Sequence, residues 1–201
     1  MGFYHTIRFL FVPAVKIVFP FKAFGRENVP KDSNFLLCCN HISYIDPVYH
    51  IIALRQKVHF MARDNIFKNK FFGWFLKKMG AYAVKRGSSD TESIKMTFNL
   101  LKNGENIGIF PEGTRSKDGV IGKGKAGAAL VAFKSGISLV PAAIYTKGGR
   151  VKAFHKTTVV YGKPVTIQEL GMQTGNSLEL KESTRKLMAL IEELQEKAKV
   201  L

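Results

Sequence analysis

The chain has 201 residues, 46% of them hydrophobic, which supplies one sizeable core and leaves little room for a second independent domain. Lysine and arginine number 31 against 15 aspartates and glutamates, and the resulting +16 excludes a cationic partner while leaving nucleic acid, anionic lipid and phosphorylated substrates open. The 16 phenylalanines, most of them beside basic residues in apolar stretches, favour a membrane interface over base recognition, so no nucleic-acid partner is expected.

Residues 1–21 are strongly apolar but interrupted by Arg8 and Lys16, and the uncharged runs fall short of the ~18 to 20 residues a spanning helix needs. The expectation is an amphipathic helix lying on a bilayer. On a helical projection His5, Arg8 and Lys16 share an arc of ~80°, with Phe3, Ile7, Phe11, Val15 and Phe19 on other faces and Pro13 as a kink. An ordinary core helix is the alternative reading. A signal peptide fits poorly, because the charges sit inside the apolar stretch and no small-residue cleavage site follows. Met1-Gly2-Phe3-Tyr4-His5-Thr6 formally matches a myristoylation pattern.

Residues 22–201 read as one α/β domain, a mixed sheet flanked by helices. Strands are expected at 22–25 and 35–39, separated by the turn-rich residues 28–34. Cys38 and Cys39 fall in the second, where adjacent side chains point to opposite faces, so a mutual disulfide is excluded and burial expected.

Asn40-His41-Ile42-Ser43-Tyr44-Ile45-Asp46-Pro47 follows directly. Asp is a preferred N-cap and Pro suits the first helical position, which predicts a helix over 47–55. Five steps of ~100° would place His41 and Asp46 about 140° apart on one regular helix, so His41 belongs to the preceding turn. From there Asp46 can accept the imidazole N–H, fix the tautomer and support the imidazolium formed when His41 takes a proton. The bland reading is a helix cap beside a satisfied surface ring.

A short strand is expected at 58–62. Residues 67–79 mix Phe67, Phe71, Phe72, Trp74, Phe75, Leu76 and Met79 with four lysines, which reads equally as a second membrane contact and as a core helix with a solvated lysine face. Ser89-Asp90-Thr91-Glu92 predicts a capping box, and Ile94, Phe98 and Leu101 predict the buried face of a helix ended by Asn103-Gly104. A buried strand at 107–110 then delivers the loop Pro111-Glu112-Gly113-Thr114-Arg115-Ser116 to the place where α/β sheets carry their chemistry.

Between 113 and 127 lie five glycines interspersed with Lys117, Lys123 and Lys125, a loop able to offer backbone N–H groups and charge to phosphates. Gly119-x-x-x-x-Gly124-Lys125 has P-loop spacing, but Ala126 stands where a Ser or Thr should hold magnesium, and the nucleotide reading is rejected. His41, His50 and His59 lack metal-ligand spacing, so no metal is expected. A small-residue helix at 126–134 and strands at 139–144 and 157–161 follow. A terminal helix closes the chain, with Leu187, Leu190, Ile191 and Leu194 as its apolar stripe and Glu182/Lys186 and Glu193/Lys197 as surface pairs.

Taken together, Asn40-His41-x-Ser43-x-x-Asp46 and Phe110-Pro111-Glu112-Gly113-Thr114-Arg115-Ser116, ~70 residues apart, resemble the signature of the bacterial-type glycerolipid acyltransferases that act on 1-acylglycerol 3-phosphate. Gly80-Ala81-Tyr82-Ala83-Val84-Lys85-Arg86-Gly87 and Val140-Pro141-Ala142-Ala143-Ile144 resemble the family's other two blocks, and the likeness runs from about residue 25 to 145.

The resemblance implies acyl transfer from a thioester to the free hydroxyl of a lysophosphatidate, with His41 as general base oriented by Asp46 and no covalent acyl-enzyme. Lys85, Arg86, Glu112, Gly113, Thr114 and Arg115 would bind substrate, the arginines taking the acceptor phosphate with help from Lys117, and Glu112 positioning an arginine or a substrate hydroxyl. Oxyanion donors are expected either in the turn at 112–114 or near the helix start at Pro47. No cofactor is implied beyond the donor, acyl-CoA or acyl-carrier protein. An anionic membrane surface is the expected partner, with the protein peripheral or monotopic on the cytoplasmic face. Glycerol 3-phosphate or another lysophospholipid is the alternative acceptor, and a noncatalytic basic lipid- or nucleic-acid-binding protein the alternative of another class.

Overall fold

Leu36, Leu37, Cys38 and Cys39 form β2 (Leu36–Cys39), and all four are buried because a central strand is covered on both faces. The computed structural model describes residues 3–84 and 90–201, with the side chains of all but 3, 5–11, 63, 72, 84 and 90–93. Around β2 the sheet runs β1-β7-β6-β2-β5-β3-β4. The strands not yet bounded are β1 (Phe21–Phe24), β3 (Val58–Arg63), β4 (Ala81–Val84), β5 (Asn106–Ile109), β6 (Leu139–Thr146) and β7 (Thr157–Tyr161).

Pairing is parallel from β6 through β2, β5 and β3 to β4, as crossover helices require, whereas β7 returns antiparallel to β6 and β1 lies parallel to β7. The sheet is therefore mixed, as the sequence led us to expect, and the chain is one α/β domain.

Alternation along β2 divides the core. Leu36 and Cys38 face Ile107, Leu139 and the helices α5 (Gly127–Ser135) and α6 (Ser177–Lys199), whereas Leu37 and Cys39 face Phe60, Ile144, Val159 and α2 (Asp46–Ala53). Both thiols are free, and burial pushes each well above its usual pKa, so neither is a nucleophile. On the α2 side α1 (Phe3–Val18) packs against α2. At the far edge α3 (Lys70–Lys78) carries the chain from β3 to β4, and α4 (Asp90–Lys102) leads back to β5, ending at Gly104 with φ +77°.

Several local expectations change. Residues 81–84 form an edge strand, β4, inside the block read only as a motif. Of the expected anchor stripe, the side chains of Phe3, Ile7 and Phe11 lie outside the described residues, Val15 is half-buried, and Phe19, just past the end of α1, packs against the core, while Pro13, Ala14 and Ile17 are exposed. On α6 Glu182 pairs with Arg185 and Glu196 with Lys199, three residues apart, rather than at the four-residue spacings expected. The capping box at 89–92 and the side chains of His5 and Arg8 lie outside the described residues. No described helix is long and apolar enough to cross a membrane.

Candidate active site

β2, β5 and β6 run parallel, so Cys39, Ile109 and Thr146 all end at one edge of the sheet, and both sequence motifs leave from that edge. Asn40 fixes the exit from β2. Its side chain, 1% exposed, donates to the Ile144 carbonyl at 2.9 Å and accepts from the Ile144 N–H at 2.7 Å, extending the β2–β6 ladder by one residue. The chain can then leave the sheet at His41 without an orphaned backbone group.

His41 lies in the turn, as expected, and its Nδ1 sits 2.7 Å from Asp46 Oδ2. Asp46 holds that turn differently from the N-cap predicted. Ile45 occupies the N-cap position with no side-chain cap, and Asp46 is the first helical residue. Its carboxylate turns backward, so that the same Oδ2 accepts from the N–H groups of Ile42 and Ser43, each at 2.7 Å. A buried turn needs its donors satisfied, and the Asp46 side chain, 0% exposed, does this while taking the histidine.

Because Asp46 Oδ2 already accepts two N–H groups, His41 must donate from Nδ1, which leaves Nε2 as a lone-pair acceptor. Nε2 has no protein partner among the described residues, and 18% of the side chain is exposed. The ring lies on Phe110 with centroids 4.0 Å apart and 12° between planes, and the column continues from Phe110 to Phe60 at 5.5 Å and from Phe60 to His50 at 5.8 Å. Sequence reading missed this packing. The apolar residue ahead of Pro111 was its only signal.

Glu112 is buried, and both of its oxygens go to backbone: Oε1 accepts from the His41 N–H at 2.9 Å and Oε2 from the Gly122 N–H at 3.0 Å. It thus ties the two motif loops together, where the sequence reading has it hold an arginine or a substrate hydroxyl. Burial raises its pKa, while the two N–H groups pull the other way. A second tie is the Ser116 N–H to the His41 carbonyl at 2.7 Å.

The remaining loop residues face solvent. Gly113, with φ +70°, donates its N–H to the Phe110 carbonyl to close the turn, and Thr114 and Arg115 are exposed. The Arg115 guanidinium stacks over the Tyr44 ring at 3.5 Å to the centroid, a contact that uses its face and leaves its in-plane donors available. Lys85 and Arg86 lie outside the described residues. Among the described residues no cluster of His, Cys, Asp and Glu is placed to hold a metal.

At the helix start the donors are occupied: Asp46 N–H reaches Ser43, and those of Val48 and Tyr49 reach Ile45. Among the described residues the N–H groups of Thr114 and Arg115 meet no protein acceptor. On the α6 side a cleft of about 750 Å³ opens between Ile42, Val120, Ile144 and the acidic Glu192, Glu193 and Glu196.

A histidine held by a buried carboxylate, facing a basic loop at the carboxyl edge of an α/β sheet, is the arrangement that both motifs implied. Residues 21–145 match the family model described as Acyltransferase. The chain belongs to the acyltransferase family. The 1-acyl-sn-glycerol-3-phosphate acyltransferase of Bacillus subtilis (strain 168) is 37% identical over 147 residues, 72% of this chain and 73% of that protein. The chloroplastic 1-acyl-sn-glycerol-3-phosphate acyltransferase LPAT1 of Arabidopsis thaliana is 37% identical over 127 residues, 62% of this chain but 35% of its own length.

Members of the acyltransferase family with those names are O-acyltransferases. In fold the chain matches the crystal structure of the 1-acyl-sn-glycerophosphate acyltransferase PlsC from Thermotoga maritima, with a TM-score of 0.78 at 22% identity, covering 98% of this chain and 81% of that one. Both motif loops of this family member lie within the matched residues 21–145, as does the Asn40–Ile144 clasp that positions them.

Proposed function

We propose that the protein transfers a fatty acyl group from an acyl thioester to the free sn-2 hydroxyl of 1-acylglycerol 3-phosphate, forming phosphatidate. The observation that carries this reading is the 2.7 Å pair of His41 Nδ1 and Asp46 Oδ2, which leaves Nε2 free to accept a proton.

Nε2 takes the acceptor's hydroxyl proton as its oxygen attacks the thioester carbonyl, and Asp46 supports the charged ring. The tetrahedral intermediate collapses with loss of the thiolate, which receives the proton back from His41. No covalent acyl-enzyme forms, in keeping with two buried thiols and with a Ser43 hydroxyl that accepts the Ile45 N–H. The N–H groups of Thr114 and Arg115 suit the oxyanion, since those at the start of α2 are occupied.

Arg115 takes the acceptor phosphate through its in-plane donors, with Arg86 and Lys85 as its expected partners and Lys117 nearby in sequence. The acid-lined cleft beside Ile42 repels phosphate, which keeps it on the Arg115 side. The donor is acyl-CoA or acyl-carrier protein, and the site works against an anionic membrane on the cytoplasmic face.

Thiol release from acyl-CoA with lysophosphatidate in anionic mixed micelles, followed to the lipid product, tests the reading. Acceptor-dependent release that yields phosphatidate and disappears in His41→Ala is expected. Silence from folded wild-type protein with both donors, and with glycerol 3-phosphate and other lysophospholipids as acceptors, overturns it.

A further inference from the structure

Phe154 is the one non-glycine residue with positive φ among the described residues, at +63°, and it is 72% exposed. A bulky aromatic side chain rarely occupies that region without cause, and here it does so on the surface, with no packing to repay the strain. The backbone around it is fixed. Its N–H donates to the Val18 carbonyl at the end of α1, Thr157 N–H donates to Pro20, and the Thr146 hydroxyl donates to the Lys156 carbonyl across the base of the loop.

Those bonds set the β6–β7 loop against the last turn of α1, whose outer face presents Pro13, Ala14 and Ile17, the last 69% exposed. The Phe154–Val18 hydrogen bond thus joins two segments that each expose an apolar side chain, Ile17 and Phe154, 137 positions apart in sequence. Around them Lys16, Lys147, Arg150, Lys152 and Lys156 are all exposed, and residues 147–156 contain no acid.

The location carries the rest. β6 ends and β7 begins at the edge from which His41 and the loop of Glu112 leave, because β6 is parallel to β2. The loop is also joined to that site: Arg150 Nε donates to the Lys117 carbonyl at 2.7 Å, and Gly149 and Gly119 approach so closely that a Cβ on either would strike the other's chain.

We propose that the last turns of α1 and the β6–β7 loop form one membrane-docking wedge, in which Phe154 and Ile17 enter the interface of an anionic bilayer and the surrounding lysines meet its phosphates. An aromatic tip flanked by cations is suited to the headgroup layer, and the wedge turns the His41–Asp46 edge toward the lipid in which a lysophospholipid resides. The inference deepens the membrane part of the proposed function, but its test reads lipid contact rather than turnover, so either can fail alone.

The experiment uses the full chain with tryptophan placed at position 154 by Phe154→Trp in a Trp74→Phe background, mixed with phosphatidylglycerol/phosphatidylcholine vesicles containing brominated lipid. A blue-shifted emission that the bromines quench is expected. Emission that stays as in buffer while the protein floats with the vesicles overturns the proposal, as does a shift produced by self-association or by an acidic carrier protein but not by vesicles. Phe154→Asn provides a second reading, because asparagine tolerates the same backbone conformation and the fold is kept. Its vesicle partition coefficient should fall by on the order of tenfold, as for loss of one buried aromatic ring. An unchanged coefficient sinks the wedge.

Discussion

The imidazole of His41 rests flat on the ring of Phe110, centroids 4.0 Å apart and planes 12° apart, so the ring is set from below by packing as well as from the side by Asp46. Beneath Phe110 lies Phe60, and Phe60 fits only because residue 108 has no side chain: a Cβ at Gly108 would come within 2.1 Å of the Phe60 ring. Gly108→Ala should therefore destabilise the fold by about 1–3 kcal/mol through overpacking. It should also lower kcat by tilting the column under His41. Urea unfolding and steady-state rates measured on one preparation check both effects.

Asp46→Asn tests the charge. The amide oxygen keeps the place of the Oδ2 that now accepts three donors, because an NH2 group there would face two backbone N–H groups, so the tautomer is kept and the negative charge that supports the imidazolium is lost. The expected loss is on the order of 10²–10⁴-fold in kcat. His41→Ala should lose as much activity while its unfolding midpoint falls by only a few tenths of a molar urea, the cost of one ring stacked on Phe110, because Asp46 keeps its two backbone donors.

Asn40→Ala removes both partners of the buried Ile144 peptide groups at once. A cost of about 3 kcal/mol follows from stranding a buried donor and a buried acceptor. Amide hydrogen exchange should show it first at Ile144, before the distal strands loosen.

His50 is wholly buried, with Nδ1 on the Tyr161 hydroxyl at 2.9 Å, and burial lowers its pKa from 6.5 to about 3, a second cation on His41 acting in the same direction. The folded state therefore refuses a proton that the unfolded chain accepts. Its contribution is fully present above pH 6.5 and is lost as the pH falls toward 3, at about 1.4 kcal/mol per pH unit. Urea midpoints across that window should flatten in His50→Leu. A slope unchanged by the substitution would refute the assignment.

Arg115→Lys keeps the charge and removes the planar fork together with its stacking on Tyr44. On the proposed role of Arg115 at the acceptor phosphate, KM for lysophosphatidate should rise about tenfold with kcat little changed. An equal fall in kcat at constant KM would place the arginine on the transition state instead.

Much of this protein was legible in one dimension. Alternating apolar runs bounded by Gly, Asn and Pro marked most of the strands, since a strand's period and its punctuation are local properties. The spacing from His41 to Asp46 put the histidine in a turn, because helix geometry forbids the pairing otherwise. β4 escaped notice because a four-residue edge strand beside a motif carries no period long enough to read.

The sequence by itself determined a basic α/β chain and the histidine–aspartate pair, because these rest on composition and on contacts five residues apart. Only the tertiary structure decided what Glu112 does, which ring supports His41 and where Phe154 stands. Glu112 reaches His41 across 71 positions, and Phe154 reaches Val18 across 136. Contacts of that span leave no trace in local pattern, because they arise when parallel strands bring distant loops to one edge of a sheet.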